Sequence, residues 1–132
     1  MKKKVLWILA ILAAPLAALF VLGARNPGNS ASAERHYSRN VDETRNAIIA
    51  RVPQLRTYGR SWKLIESSSR FVKVEVPVLF FTDDLTIILQ EDDAGVLLRV
   101  ASKSRVGKGD LGENQRHIRQ LLAALDKRLL RG

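Results

Sequence analysis

The sequence has no cysteine, only two histidines, and no acidic residue before Glu34. Without cysteine there can be no disulfide, no thiolate zinc site, no cysteine nucleophile and no cysteine-linked lipid anchor. Neither His36 nor His117 lies in an H-E-x-x-H pattern and G-x-S-x-G is absent, so zinc-peptidase and serine-hydrolase motifs are missing. Length excludes more. The chain has 132 residues and opens on an apolar segment, which leaves about 100 for a folded unit, near the modal domain size. Two packed domains, a TIM barrel and a complete dinucleotide fold do not fit. The whole chain, 46% hydrophobic and 27% charged and without repeats, has the composition of an ordinary globular protein.

What is there begins with Val5–Leu22, an uncharged run between Lys2–Lys4 and Arg25. Eighteen residues at about 1.5 Å rise would reach about 27 Å, close to the hydrocarbon thickness of a bilayer. That is long for the core of a secretory signal. The run is therefore expected to be an uncleaved transmembrane anchor, with a cleaved signal as the alternative; Ala31-Ser32-Ala33 offers a distant A-x-A site. The leading lysines keep the N-terminus cytoplasmic and place the domain outside, at the inner or cell membrane. Boundaries follow: 1–24 anchor or signal, 25–34 linker, 35–131 globular domain. Leaving aside the three leading lysines, nineteen cations face thirteen acids, a charge of +6. Anionic partners are favoured by that excess.

Asn40 and Glu43 have capping-box spacing, and Val41, Ile48, Val52 and Leu55 share one helical face, so a helix is expected over about 41–52, ended by Pro53. Four strands follow: 62–67, 71–81, 85–89 and 96–100. Val72, Val74, Val76, Val78 and Phe80 face one side, and Thr82-Asp83-Asp84 and Glu91–Gly95 form turns. Asp110 and Glu113 would cap a second helix whose stripe holds Leu111, Ile118, Leu121, Leu122, Leu125 and Leu129. The fold class is α+β: an N-terminal membrane helix, then a four-stranded antiparallel sheet with two amphipathic helices on one face.

The Gly107–Gly112 segment leads into a helix start and could hold an anion with Lys108, although Asp110 and Glu113 already occupy that start. Asn114 falls inside the apolar stripe, where an unpaired amide costs about 1–3 kcal/mol, so it must be hydrogen-bonded and is expected to clasp the preceding loop. Arg99, Lys103 and Arg105 share an outward parity with Phe71, Phe81, Ile88 and Leu97, a basic-edged apolar surface. Asp83, Asp84 and Asp110 could chelate a hard cation, though adjacent acids more often form turns. His117 reads as a solvated helix residue.

Phe81-Thr82-Asp83-Asp84, Val100–Gly107 and Asp110-Leu111-Gly112-Glu113-Asn114, in that order, resemble the signature of a bacterial and plastid family, domain of unknown function 1499. The resemblance covers about residues 35–130. It implies an envelope or lumenal domain without an established activity, and motif positions at Asp83, Asp84, Arg99, Ser104, Arg105, Gly107, Asp110, Gly112 and Asn114. Two departures stand out: the family's Asn-Cys segment is missing, and His117 stands where an arginine is usual.

These readings lead to a membrane-tethered, non-catalytic module for an anionic or amphiphilic envelope ligand, or a membrane-associated protein. Its ligand contacts would be Arg99, Arg105, Lys108, Asn114 and Phe81, with no cofactor and no metal. The rival is a metal-assisted hydrolase using Asp83, Asp84 and Asp110. Nucleic-acid binding is disfavoured by export, and oligomeric state is left open.

Overall fold

The computed structural model describes residues 20–21, 30–105 and 112–130. Lys108, Asp110 and most of the apolar N-terminal run lie outside these residues, as does the expected membrane helix up to residue 19. No helix among the described residues is long and apolar enough to cross a membrane.

Helix α1, Val41–Arg51, starts where the capping spacing puts it: Asn40 Oδ1 accepts the Glu43 backbone N–H at 2.7 Å. Ile48 and Val52 are buried, Val41 and Leu55 pack against the core, and Pro53 sits in a 3-10 turn, Val52–Gln54, that ends the helix. The strands are β1 (Phe20–Val21), β2 (Ser30–Tyr37), β3 (Arg56–Thr57), β4 (Arg60–Ser61), β5 (Lys63–Ser67), β6 (Phe71–Val78), β7 (Phe81–Asp92) and β8 (Gly95–Ser104); helix α2 is Glu113–Leu129. Strands β1-β2-β8-β7-β6-β5 form one antiparallel sheet in that order, and β3–β4 form a separate two-stranded ribbon.

The sheet is wider than the sequence suggested. The α+β class, the antiparallel pairing and the two helices hold, but β2 adds a fifth full strand and β1 a two-residue sixth. The segment read as a linker over 25–34 therefore enters the sheet at Ser30. Hydrophobic patterning did not expose β2 because its inward positions are Ala31, Ala33, Arg35 and Tyr37: two minimal side chains, a cation and a phenol. Burial of Arg35 is compensated by its ion pair with Asp126 on α2, and the Tyr37 hydroxyl donates to the other oxygen of the same carboxylate at 2.7 Å. Burial and the neighbouring Asp126 push the Tyr37 phenol well above its usual range, so it stays neutral. The A-x-A site at Ala31–Ala33 lies inside β2, so a cut there would remove half of that strand.

Strand β1 bears on the apolar run. Phe20 and Val21 pair with Glu34 and Ala33. Residues hydrogen-bonded into a sheet cannot also be part of a transmembrane helix, so this pairing and a membrane span reaching Leu22 exclude one another.

One core holds the layers together. Val72, Val74 and Val76 from β6, Leu85, Ile87 and Leu89 from β7, and Val96, Leu98 and Val100 from β8 meet Ile118, Leu121, Leu122 and Leu125 of α2 and Ala47 and Ile48 of α1. Strand β6 stops at Val78, three residues short of the expected 71–81. Val78 pairs with Phe81, so Leu79–Phe80 is the hairpin loop, and Phe80 is 93% exposed where core packing was expected. The expected turn at Thr82–Asp84 is strand. Helix α2 begins at Glu113 after Gly112 at φ +81, and the expected capping residue Asp110 lies outside the described residues.

Candidate functional site

The family-like residues converge at one end of the sheet, where β7 begins, β8 ends and α2 starts. Asp83 takes the inward parity of β7 just beyond the apolar layer, and a carboxylate buried there needs a partner. It has one in His117, which is fully buried and places Nε2 at 2.9 Å from Asp83 Oδ2. The Trp62 ring meets the imidazole edge-on, with centroids 6.0 Å apart. Asn114 is likewise fully buried: its Oδ1 accepts from the Ser102 hydroxyl at 2.5 Å and its Nδ2 donates to Ser104 Oγ at 3.0 Å. Glu113 accepts from the Tyr58 hydroxyl at 3.1 Å and from Arg116 at 2.6 Å. These bonds fasten the start of α2 to β7, β8 and the β3–β4 ribbon. His117 Nδ1 and Trp62 Nε1 are buried without hydrogen-bond partners among the described residues.

On the opposite face the polar groups also pair with one another. Arg105 grips Asp84 with two bonds, of 2.9 and 2.7 Å, and reaches Glu75 at 2.7 Å. Those hydrogen bonds raise the Arg105 guanidinium above its usual range and hold the Asp84 carboxyl below its own. Arg99 pairs with Glu34 at 3.2 Å.

The exposed chemistry of this end lies in two adjoining hairpins. Leu79 has φ +50, and Leu79, Phe80 and Phe81 are all solvent-exposed. A two-residue hairpin loop with its first residue left-handed ordinarily carries glycine there. The β3–β4 ribbon braces this loop: Thr57 Oγ1 donates to the Pro77 carbonyl at 2.6 Å and the Arg60 guanidinium donates to the Leu79 carbonyl. Tyr58, at the ribbon's own tip, is also exposed. Arg56, Arg60 and Lys63 make no ion pair among the described residues, although Lys63 stands opposite Glu75 in register.

The sequence-derived contacts thus fare differently. Phe81 is accessible, but it has the inward parity of β7 and projects past the core's end, so it does not belong to the outer face with Ile88. Arg99 and Arg105 are exposed yet neutralised by carboxylates. Asn114 is sealed from solvent and tied to Ser102 and Ser104, while the loop it was expected to clasp lies outside the described residues. Lys108 lies outside the described residues. Asp83 and Asp84 turn to opposite faces, so they cannot share a cation, and Asp110 lies outside the described residues. The described residues contain no group of three potential metal ligands.

His117 was read as solvated and is instead the centre of the buried cluster. The signal was weak but present: at about 100° per residue it lies only about 40° outside the apolar stripe and next to Asn114. Nothing local in the sequence marks Arg60 or Lys63; the fold carries the Arg60 guanidinium to the Leu79 carbonyl and puts Lys63 in a cleft with Pro77 and Thr82.

Comparisons with known proteins agree with this architecture. CalU16 from Micromonospora echinospora superposes with a TM-score of 0.57 at 16% identity, over 82% of this chain and 81% of that one. A protein from Rhodobacter sphaeroides gives 0.50 at 11% identity, over 86% and 93%. At such identities the likeness concerns the fold alone. No curated protein matches the chain. The sequence matches the family described as Protein of unknown function (DUF1499) over residues 26–125, and with the Asp83, Ser104-Arg105 and Gly112–Asn114 positions gathered at one end of the sheet, the chain belongs to that family.

Proposed function

We propose that this is an exported, non-catalytic binding module that engages an anionic, amphiphilic partner through the β6–β7 hairpin end of its sheet. The observation that carries the reading is the division of labour at that end. The family-motif groups among the described residues are turned inward or held in ion pairs, while Leu79, Phe80 and Phe81 are accessible near Arg60 and Lys63, which make no ion pair among the described residues. Enzymes place their titratable groups where a substrate can touch them; here Asp83 and His117 face only protein. Phe81 keeps the contact role expected from the sequence. Arg60 and Lys63 take the cationic role assigned to Arg99 and Arg105, whose charges are answered by Glu34, Asp84 and Glu75.

Export rests on the run at residues 5–22 with its leading lysines. The proposed location is the outer side of the cell membrane, with the run as a removed signal or as an anchor that ends before Phe20, where β1 pairs with β2.

Thermal unfolding against soluble phosphorylated headgroups, acidic glycans and divalent metals tests the reading. A ligand at 100 times its Kd adds about 2.7 kcal/mol, a midpoint rise of roughly 10 °C in a domain of this size. The expected rise comes with an anionic ligand and shrinks in Arg60→Gln. A rise with a divalent metal that disappears in Asp84→Asn would instead promote the metal-assisted hydrolase.

A further inference from the structure

We infer that the Leu79–Phe80–Phe81 tip is a docking device for an anionic lipid bilayer, its apolar side chains entering the boundary between headgroups and acyl chains. This deepens the binding-module reading of the same end and rests on it.

Shape is the first argument. The tip is convex: Phe80 stands at the apex of a two-residue loop with almost its whole side chain in water. Protein interfaces bury their anchors in matching pockets, whereas a bilayer accepts a protruding apolar wedge without one. Amphipathic elements that lie on membranes likewise put Phe and Leu in the acyl boundary with Lys and Arg above it.

The second argument is sequence choice under strain. The first loop position is left-handed, and a glycine would satisfy it at no steric cost. The chain keeps leucine there, follows it with two phenylalanines, and leaves all three outside the core. Backbone strain of this kind points to function when the surrounding structure enforces it. Here the bonds from Thr57 to the Pro77 carbonyl and from Arg60 to the Leu79 carbonyl supply the enforcement. A braced wedge loses little conformational freedom on insertion.

Charge complementarity selects the lipid. Arg60 reaches from the ribbon to the tip at the Leu79 carbonyl. Arg60 and Lys63 also line a shallow cleft with Pro77 and Thr82, beside the hairpin. Glu75 shares that cleft, bridged with Asp84 by the single Arg105 guanidinium. Arg105 and Asp84 cancel, and Arg60 and Lys63 outnumber Glu75, so the cleft keeps an excess of positive charge where a headgroup phosphate would sit when Phe80 reaches the acyl boundary. Each basic residue near an anionic surface favours the bound state by about fivefold.

The absence of cysteine makes the test direct. The full chain carrying Phe80→Cys, or Ile88→Cys on the outer sheet face, is labelled with a nitroxide and reconstituted in vesicles. These contain phosphatidylcholine alone or phosphatidylcholine with one-third phosphatidylglycerol. Collision rates with oxygen and with a water-soluble nickel chelate report immersion. The expected result is a label at residue 80 that gains oxygen and loses nickel contact in phosphatidylglycerol vesicles, while the label at 88 stays in water. Arg60→Gln and Lys63→Gln should each lower the immersed-to-withdrawn ratio by about fivefold, and salt should do the same. An unchanged thermal midpoint certifies that each variant is folded.

Equal water exposure at residues 80 and 88 on both vesicle types overturns the proposal. If a soluble acidic glycan or a protein then shields the label at 80, the binding-module reading survives without the lipid. If nothing shields it, both fall. Immersion that ignores phosphatidylglycerol overturns the proposal as stated, because the cations would then have no part in it.

Discussion

The two hairpin turns that flank β7 have been built to opposite specifications. The turn between β7 and β8 is Asp93–Ala94, with Ala94 N–H bonded to the Asp92 carboxylate at 2.9 Å and Gly95 at φ +143 just behind it. A Cβ on Gly95 would stand 2.1 Å from the Tyr37 carbonyl oxygen, so glycine is there because nothing else fits. Every residue of that turn agrees with its backbone. In the turn between β6 and β7, leucine holds a left-handed position and phenylalanine faces water. Natural sequences tend to break local rules where something other than folding is being served. The contrast separates a polar turn that serves the fold from an apolar one that the fold does not require, the place where the proposed binding role is put.

The largest effect should come from corrupting the compliant turn. Gly95→Ala is expected to destabilise by at least about 3 kcal/mol, or to prevent folding, because the obstacle is backbone and cannot move aside. Denaturant unfolding that left Gly95→Ala within about 0.5 kcal/mol of the parent would contradict the close packing of Tyr37. Next is the clasp beside the other turn. His117→Leu strands the Asp83 carboxylate in the interior and should cost about 3–5 kcal/mol. Adding Asp83→Val to it should restore most of that loss; if the double variant is no better than the single, the pair does more than neutralise itself.

The apolar turn should respond in the reverse direction. Leu79→Gly relieves the left-handed strain and is expected to stabilise by about 1 kcal/mol, a midpoint rise of roughly 4–8 °C. A fall in the midpoint would mean that Leu79 packs in the free protein and is not held at a cost. Smallest of all, Phe80→Ser should change stability by less than about 0.5 kcal/mol, as surface substitutions do. On the outer face, Asp84 is held below the usual carboxylate range by Arg105. Its contribution is therefore present above about pH 4 and lost as pH falls through its lowered value in the folded protein. Solvent screens the pair, so the change is modest. The acid limb of a pH–stability profile should flatten in Asp84→Asn, and an identical limb would remove the pair from the account.

Legibility in the sequence followed the physics of each element. Helix α1 was readable because its cap is a local side-chain bond between Asn40 and Glu43, and its end because Pro53 lacks an N–H. Strands β6 to β8 were readable because a half-buried strand writes its burial as alternation. Their ends were less so: Val78 and Phe80 continue the apolar parity past the point where the core stops, and only the register with β7 decides where the turn falls. Strand β2 was hidden because alanines and a paired arginine carry no apolar rhythm. The Asp83–His117 pair was hidden for a related reason. Its partners lie 34 positions apart, and each looks like a surface residue until the other is supplied. Asn114 was recoverable because a lone amide inside an apolar stripe is itself an anomaly.

Strand β1 has a further consequence for the sheet's border. Strand β2 has one neighbour, β8, along its full length, and on the other side it is met among the described residues only by Phe20–Val21. Those two residues belong to the apolar run, so the border's cover is also the piece of chain that a membrane or a peptidase would take. Withdrawing it leaves backbone N–H and C=O groups along β2 without partners, a template for any extended strand that arrives. The apolar run and this border are thereby linked: Phe20 and Val21 cover the Ala33–Glu34 stretch of β2, and removing them would lengthen the open edge there.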